Sequence, residues 1–168
     1  KAASEFEKTI LKKPEFYVPY RNLAALYYSH LDRKNEVLSL IDKAIERKKE
    51  SDQLIFEKAY LMCKLGVSPS ERIAFLEKNL KKRDDIYIEL VRAYNENGDY
   101  DKALKLFSEH TFVPCEGGEH AVAEEYMLAC HGIGRTLLKE EKPKEAAEYF
   151  EKALILPKNL GAGLWNEC

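Results

Sequence analysis

Between residues 87 and 110 the chain reads YIELVRAYNENGDYDKALKLFSEH, and this stretch limits the fold more than any other. Tyr87, Leu90, Val91 and Tyr94 recur at the three- and four-residue spacing of a helix with one apolar side. Asn97-Gly98-Asp99 breaks the pattern, and Ala103, Leu106 and Phe107 set a second apolar stripe. Helices this short bury too little surface to stand alone, so the pair needs neighbours to lean on.

The remaining sequence supplies them. A helix over 2–13 carries Ala3, Phe6, Ile10 and Leu11 on one side and ends at Pro14; it has no first helix before it. A pair over 17–48 follows, with Tyr20, Leu23, Ala24 and Tyr27 facing Val37, Leu38, Ile41, Ala44 and Ile45. The next helix, 52–65, is stopped by Gly66. Ser68-Pro69-Ser70-Glu71 then places Pro and an acid in a first turn and opens a helix over 69–82, with Ile73, Leu76 and Leu80 expected to be buried. The longest break is 111–119 (TFVPCEGGE). After it comes a long helix, 120–139, holding Val122, Tyr126, Ala129, Cys130, Ile133 and Leu137. Gly132 and Gly134 interrupt it, which predicts close contact with other helices. Pro143 starts the last helix and Pro157 closes it.

Small residues recur early in second helices, at Ala3, Ala103 and Ala146, and large apolar ones occupy inner positions, at Ile41, Phe107 and Phe150. Three stretches share one pattern in register. They are Tyr87-x2-Leu90-Val91-x2-Tyr94 with Gly98, Ala103 and Phe107; Tyr20-x2-Leu23-Ala24-x2-Tyr27 with Ala44; and Cys130-x2-Ile133-Gly134-x2-Leu137 with Ala146, Phe150 and Ala153. The pattern resembles the tetratricopeptide repeat, a unit of about 34 residues. The resemblance implies an all-α array of antiparallel helical hairpins forming a right-handed superhelix. The expected organisation is a single array over 1–168. It comprises the second helix of a truncated repeat (1–13), a repeat (17–48), a degenerate repeat (52–82), a repeat (84–110), a repeat with a long first helix (120–156) and a tail (157–168) bearing Trp165. Opening on a second helix, and without Met, the sequence is expected to be a piece of a longer protein.

The order of several short segments carries a closer resemblance. Glu71-Arg72, Arg83-Asp84-Asp85, Tyr94-Asn95, Phe112-x-Pro114-x-Glu116-Gly117-Gly118-Glu119 and Pro157-x-Asn159-Leu160-Gly161-x-Gly163 follow one another as in the repeat segment of large prokaryotic proteins. Those proteins carry an N-terminal β-rich, carbohydrate-active or carbohydrate-binding domain, so the resemblance implies such a domain in the parent. This sequence departs from them at Val113, Cys115, His120 and 162–164.

In a hairpin array, loops leading into first helices share one edge. Arg83, Asp84, Glu116, Gly117, Gly118, Glu119, Asn159 and Gly161 are therefore expected to form an exposed rim for docking or for a polar ligand. The concave face is expected to be lined by Arg21, Tyr28, Ile88, Arg92, Asn95, His131 and Arg135. Its arginines suit an acidic peptide. Two functions follow: a non-catalytic scaffold for protein–protein or interdomain contacts, or one wall of a carbohydrate site built on the Glu116–Glu119 and Asn159–Gly163 loops. No enzyme activity is expected of this chain.

Other partners are disfavoured. With 27 Lys and Arg against 29 Asp and Glu, interspersed throughout, the chain lacks the clustered positive charge that nucleic acid requires. No apolar run reaches the roughly 20 residues of a membrane span. His110, Cys115, His120, Cys130 and His131 lack the paired spacing of metal sites, so neither metal nor cofactor is expected. Four cysteines without paired spacing read as free thiols of a reducing compartment, which places the chain in the cytoplasm. Exposed repeat ends predict homo-oligomers.

Overall fold

The computed structural model describes residues 1–30, 33–80, 83–113, 119–157 and 159, with the helical backbone alone at 119 and 120. Nine helices and no strand are present among these residues, so the all-α class holds. The chain divides between Ser68 and Pro69 into two compact units, which parts the expected repeat 52–82. No helix among the described residues is long and apolar enough to cross a membrane. Cys63 and Cys130 are free thiols, the second buried.

The first unit contains α1 (Ala2–Lys12), α2 (Tyr17–His30), α3 (Lys34–Arg47) and α4 (Asp52–Lys64). Tyr20, Leu23, Ala24 and Tyr27 of α2 meet Val37, Leu40, Ile41 and Ala44 of α3, and Leu54 and Leu61 of α4 close the cluster. Ala3, Phe6 and Ile10 pack against it from α1, but Leu11 does not; it is 83% exposed. One residue further round the helix than Ile10, it turns some 100° away from the core. The tyrosines keep their polar ends satisfied. Tyr20 Oη donates to the Pro14 carbonyl at 3.0 Å and Tyr27 Oη to Glu7 Oε1 at 2.7 Å. Burial, aided by that Glu7 bond, pushes the Tyr27 hydroxyl up to about 12.

The second unit contains α5 (Pro69–Lys78), α6 (Asp84–Asn97), α7 (Tyr100–Glu109), α8 (Glu119–Lys139) and α9 (Pro143–Leu154). Helix α5 is shorter than expected. It stops at Lys78, where the Asn79 side chain donates to the Phe75 carbonyl at 2.7 Å. Leu80 therefore falls outside the helical stripe and is exposed, whereas Ile73 and Leu76 are buried. Phe107 is buried between Phe112 and Tyr126, with ring centroids 5.4 Å away in both cases.

The α8 glycines do what their sequence positions suggested. A Cβ on Gly132 would overlap the Tyr100 ring, and one on Gly134 would lie 2.6 Å from the Phe150 ring, so both let aromatic side chains of α7 and α9 close on α8. Helix ends repeat one device. After α4, α6 and α8 the chain turns left-handed at Gly66, Gly98 and Glu141, with paired backbone bonds such as Lys142 N to Leu137 O at 2.9 Å and Glu141 N to Leu138 O at 3.2 Å. Glu141, at φ 60°, has a side chain where the other two turns have none. That conformation costs an L-residue about 1–2 kcal/mol. Glu141→Gly is expected to raise stability by about 1 kcal/mol after glycine's extra unfolded-state entropy is deducted, read as a higher urea midpoint at unchanged slope.

Candidate functional site

Three acids and two arginines meet where α5, α6 and α8 come together. Glu89 and Glu125 stand within the apolar stripes of α6 and α8, beside Leu90 and Tyr126, and are 5% and 7% exposed. A buried carboxylate needs a counter-charge or several donors. Arg92 supplies both sites: Nη1 donates to Glu89 Oε1 at 2.5 Å and Nε to Glu125 Oε1 at 3.0 Å. Asn95, one turn on, donates through Nδ2 to Glu125 Oε2 and to the Glu125 carbonyl, each at 2.9 Å. Arg72 of α5 is itself buried and pairs with Glu96, leaving Nε and Nη1 without hydrogen-bond partners among the described residues.

Glu89 is under tension in this cluster. Burial holds its carboxyl above the ordinary 4.5, outweighing the attraction of Arg92 and then Arg72. The folded state thus binds this proton more tightly than the unfolded chain does. Glu89 therefore favours folding most below about pH 4.5, and its contribution declines as pH rises through its folded value. Glu89→Gln removes the titration. Across a pH 4–7.5 series of urea denaturations, the stability of wild type relative to this variant is expected to fall with rising pH. A rise would mean that the neighbouring guanidinium groups outweigh the burial.

Above the cluster lies a groove of about 620 Å³, walled by α6 and α8. Along α8 it is lined by Glu125, Leu128, Gly132, Arg135 and Lys139, which recur every three or four residues and so share one face. Arg92, Asn95 and Glu96 line it from α6, and Tyr100 from α7. Its two ends differ in charge. Arg92 is committed to Glu89 and Glu125, whereas Arg135 and Lys139 have no ion-pair or hydrogen-bond partner among the described residues. Asn95 Oδ1 is sealed from solvent without a hydrogen-bond partner among the described residues.

Four of the residues expected on the concave face, Arg92, Asn95, His131 and Arg135, line this one groove. Ile88 does not; it is buried in the packing of α6. Arg21 and Tyr28 belong to the first unit, where they line a separate cleft of about 360 Å³ between α2 and α4 with Phe56, Glu57 and Tyr60. Arg21 Nε there donates to Glu57 at 2.6 and 2.9 Å, so its charge is used within the fold. Glu89, Glu125 and Arg72 were missed in the sequence. No local signal sets them apart, because a charge one step along a helix from a buried apolar residue turns about 100° and can face either solvent or a neighbouring element.

The rim residues take different parts. Asp84, expected to be exposed, is half-buried, lies 2.7 Å from His110 Nε2 and accepts the Val113 N–H. The His110 ring stacks on Tyr87 at 3.8 Å. Asn159 is half-buried too. Its Nδ2 donates to the Phe107 and His110 carbonyls at 2.7 and 3.0 Å, and its carbonyl accepts the Phe112 N–H at 2.8 Å. The segments at 84, 110–113 and 159 do converge, but Asp84 and Asn159 spend their polar atoms on the unfilled end of α7 and the loop after it. Arg83 pairs with Asp85. Glu116, Gly117, Gly118 and Gly161 lie outside the described residues, as does the side chain of Glu119. Among the described residues no group of three or more metal-ligating side chains occurs.

The sequence profile of the tetratricopeptide repeat matches residues 129–162, which cover the second half of α8, all of α9 and the segment after them. A solved structure, YrrB, described as a TPR protein with an unusual peptide-binding site, is 20% identical over 99% of this chain and 100% of its own, with a TM-score of 0.40.

Proposed function

We propose that this chain is a non-catalytic interaction scaffold and that the α6–α8 groove of its second unit receives an extended peptide of a partner. What carries the reading is the groove's lining: two exposed cations, Arg135 and Lys139, stand on one face of α8 with no partner among the described residues. Leu128, 54% exposed two turns before Arg135 on the same face, offers apolar contact. About 21 Å of α8 separates Glu125 from Lys139, room for roughly six residues of extended chain. The expected repeat fold agrees, because stacked hairpins present their first helices as a continuous surface.

The test is selection of random heptapeptides on the whole chain, followed by amide chemical-shift mapping. Selected peptides are expected to perturb residues 92–96 and 125–139. Perturbation confined to other surfaces, or failure to enrich any peptide, would overturn the reading.

A further inference from the structure

The turn between α6 and α7 carries the chain's only Asn-Gly pair, Asn97-Gly98, with both residues exposed. We propose that this pair is a site of spontaneous covalent modification which the closed turn protects, and that its conversion to aspartate or isoaspartate irreversibly loosens the α6–α7 hairpin.

The reaction needs only the chain and water. The Gly98 main-chain nitrogen attacks Asn97 Cγ. Its proton passes through solvent to Nδ2, the Cγ–Nδ2 bond breaks, and ammonia leaves behind a five-membered imide. Water then opens the ring. Opening at Cγ gives an aspartate in an unaltered main chain. Opening at the main-chain carbonyl gives isoaspartate, with the backbone rerouted through Cγ and one methylene longer. Glycine leaves the attacking nitrogen uncrowded, and every other asparagine precedes Leu or Glu.

In the closed turn both reacting nitrogens are occupied. The Gly98 N–H donates to the Asn95 carbonyl at 3.1 Å, and Asp99 N–H to the Tyr94 carbonyl at 2.9 Å, around a left-handed Gly98 at φ 83°. Asn97 Nδ2, the leaving group, donates to Asp99 Oδ2 at 2.8 Å. Attack therefore waits on local opening of the end of α6.

Either product then works against closure. A carboxylate at position 97 replaces a donor to Asp99 with a like charge. Lys102, 3.7 Å from Asp99 Oδ2, is one cation for two acids, and Glu96 and Asp101 stand nearby in sequence. The new charge also lies at the negative end of the α6 dipole. The extra methylene of isoaspartate shifts the paired bonds that close the turn. Asn95, whose carbonyl holds Gly98, also holds Glu125 through its side chain, so loosening reaches the tie between α6 and α8.

The whole chain is incubated at pH 8, folded in buffer or unfolded in guanidinium chloride, and sampled by tryptic digestion and mass spectrometry. The peptide 93–102 should gain about 1 Da at Asn97 and not at Asn95, with the folded chain reacting at least about tenfold more slowly. Asn97→Asp is expected to lower the folding equilibrium constant about threefold relative to Asn97→Ala at low salt, and less at high salt. Asn97→Ala separates the added charge from the lost hydrogen bond. Modified wild type, isolated by ion exchange, should show the same lower urea midpoint, which covers the case in which the variant does not fold. Equal rates in the folded and unfolded chain would overturn the protection. A modified chain as stable as the unmodified one would overturn the loosening, and no mass gain in guanidinium chloride would overturn the site itself.

Discussion

Arg92→Ala is expected to cost about 3–5 kcal/mol at pH 7, the loss that follows when a buried ion pair loses one partner. The alanine leaves two carboxylates, Glu89 and Glu125, buried in the protein without the guanidinium that joins them. Arg72 near Glu89 and Asn95 on Glu125 offset part of the penalty, but neither touches both acids. The sign of the pH effect follows from Glu89, whose burial holds its carboxyl above the ordinary value. Lowering the pH protonates Glu89 and removes its uncompensated charge, so the deficit should shrink on going from pH 7 to pH 5. Adding Glu125→Gln to Arg92→Ala should recover a share of the loss, because one of the stranded charges is gone. Urea denaturation of the four proteins in that cycle measures the coupling. A deficit under 1 kcal/mol at pH 7 would mean that water reaches Glu89 and Glu125 freely. The variant also tests the site, since Arg92 and Asn95 hold Glu125 from adjacent turns of α6 and set the floor of the groove.

Phe107→Ala should cost a similar amount, about 3–5 kcal/mol, by a different mechanism. Phe107 is 2% exposed and lies between the Phe112 and Tyr126 rings, which joins α7, the loop behind it and α8. Truncation leaves a ring-sized cavity that a half-buried loop anchored by Asn159 can close only in part. The expected readout is a lower urea midpoint with no pH dependence between pH 5 and 7, which separates it from Arg92→Ala. A loss below 1 kcal/mol would show that the α7 stripe is not the packing surface.

The two variants also mark how far the sequence could be read. Phe107 was legible because apolar spacing at three and four residues has one common cause, a helix side turned from water. The same signal located α2, α3, α6 and α7 to within a residue or so, and Gly98 at the turn of the central hairpin. It overreached at Leu11 and Leu80, where an apolar residue was credited to a stripe that the helix rotation or the end of α5 does not extend to. Asp84 and Asn159 were legible as loop residues and as neighbours, but not as internal ties, because a hydrogen bond between residues 107 and 159 leaves no local mark.

The buried charges are the clearest case. Glu124 and Glu125 are adjacent acids on one helix, and composition gives no reason to treat them differently. In the structure Glu125 is 7% exposed and held by α6, because an angular step of 100° carries it under the neighbouring helix. The sequence by itself determined the helices, their pairing and most of their buried sides, since those follow from local periodicity and turn chemistry. Only the tertiary structure decided which charges are neutralised and which remain available, because a counter-charge is supplied by an element distant in the chain. That difference separates Arg92, consumed by the fold, from Arg135 and Lys139, which have no partner among the described residues.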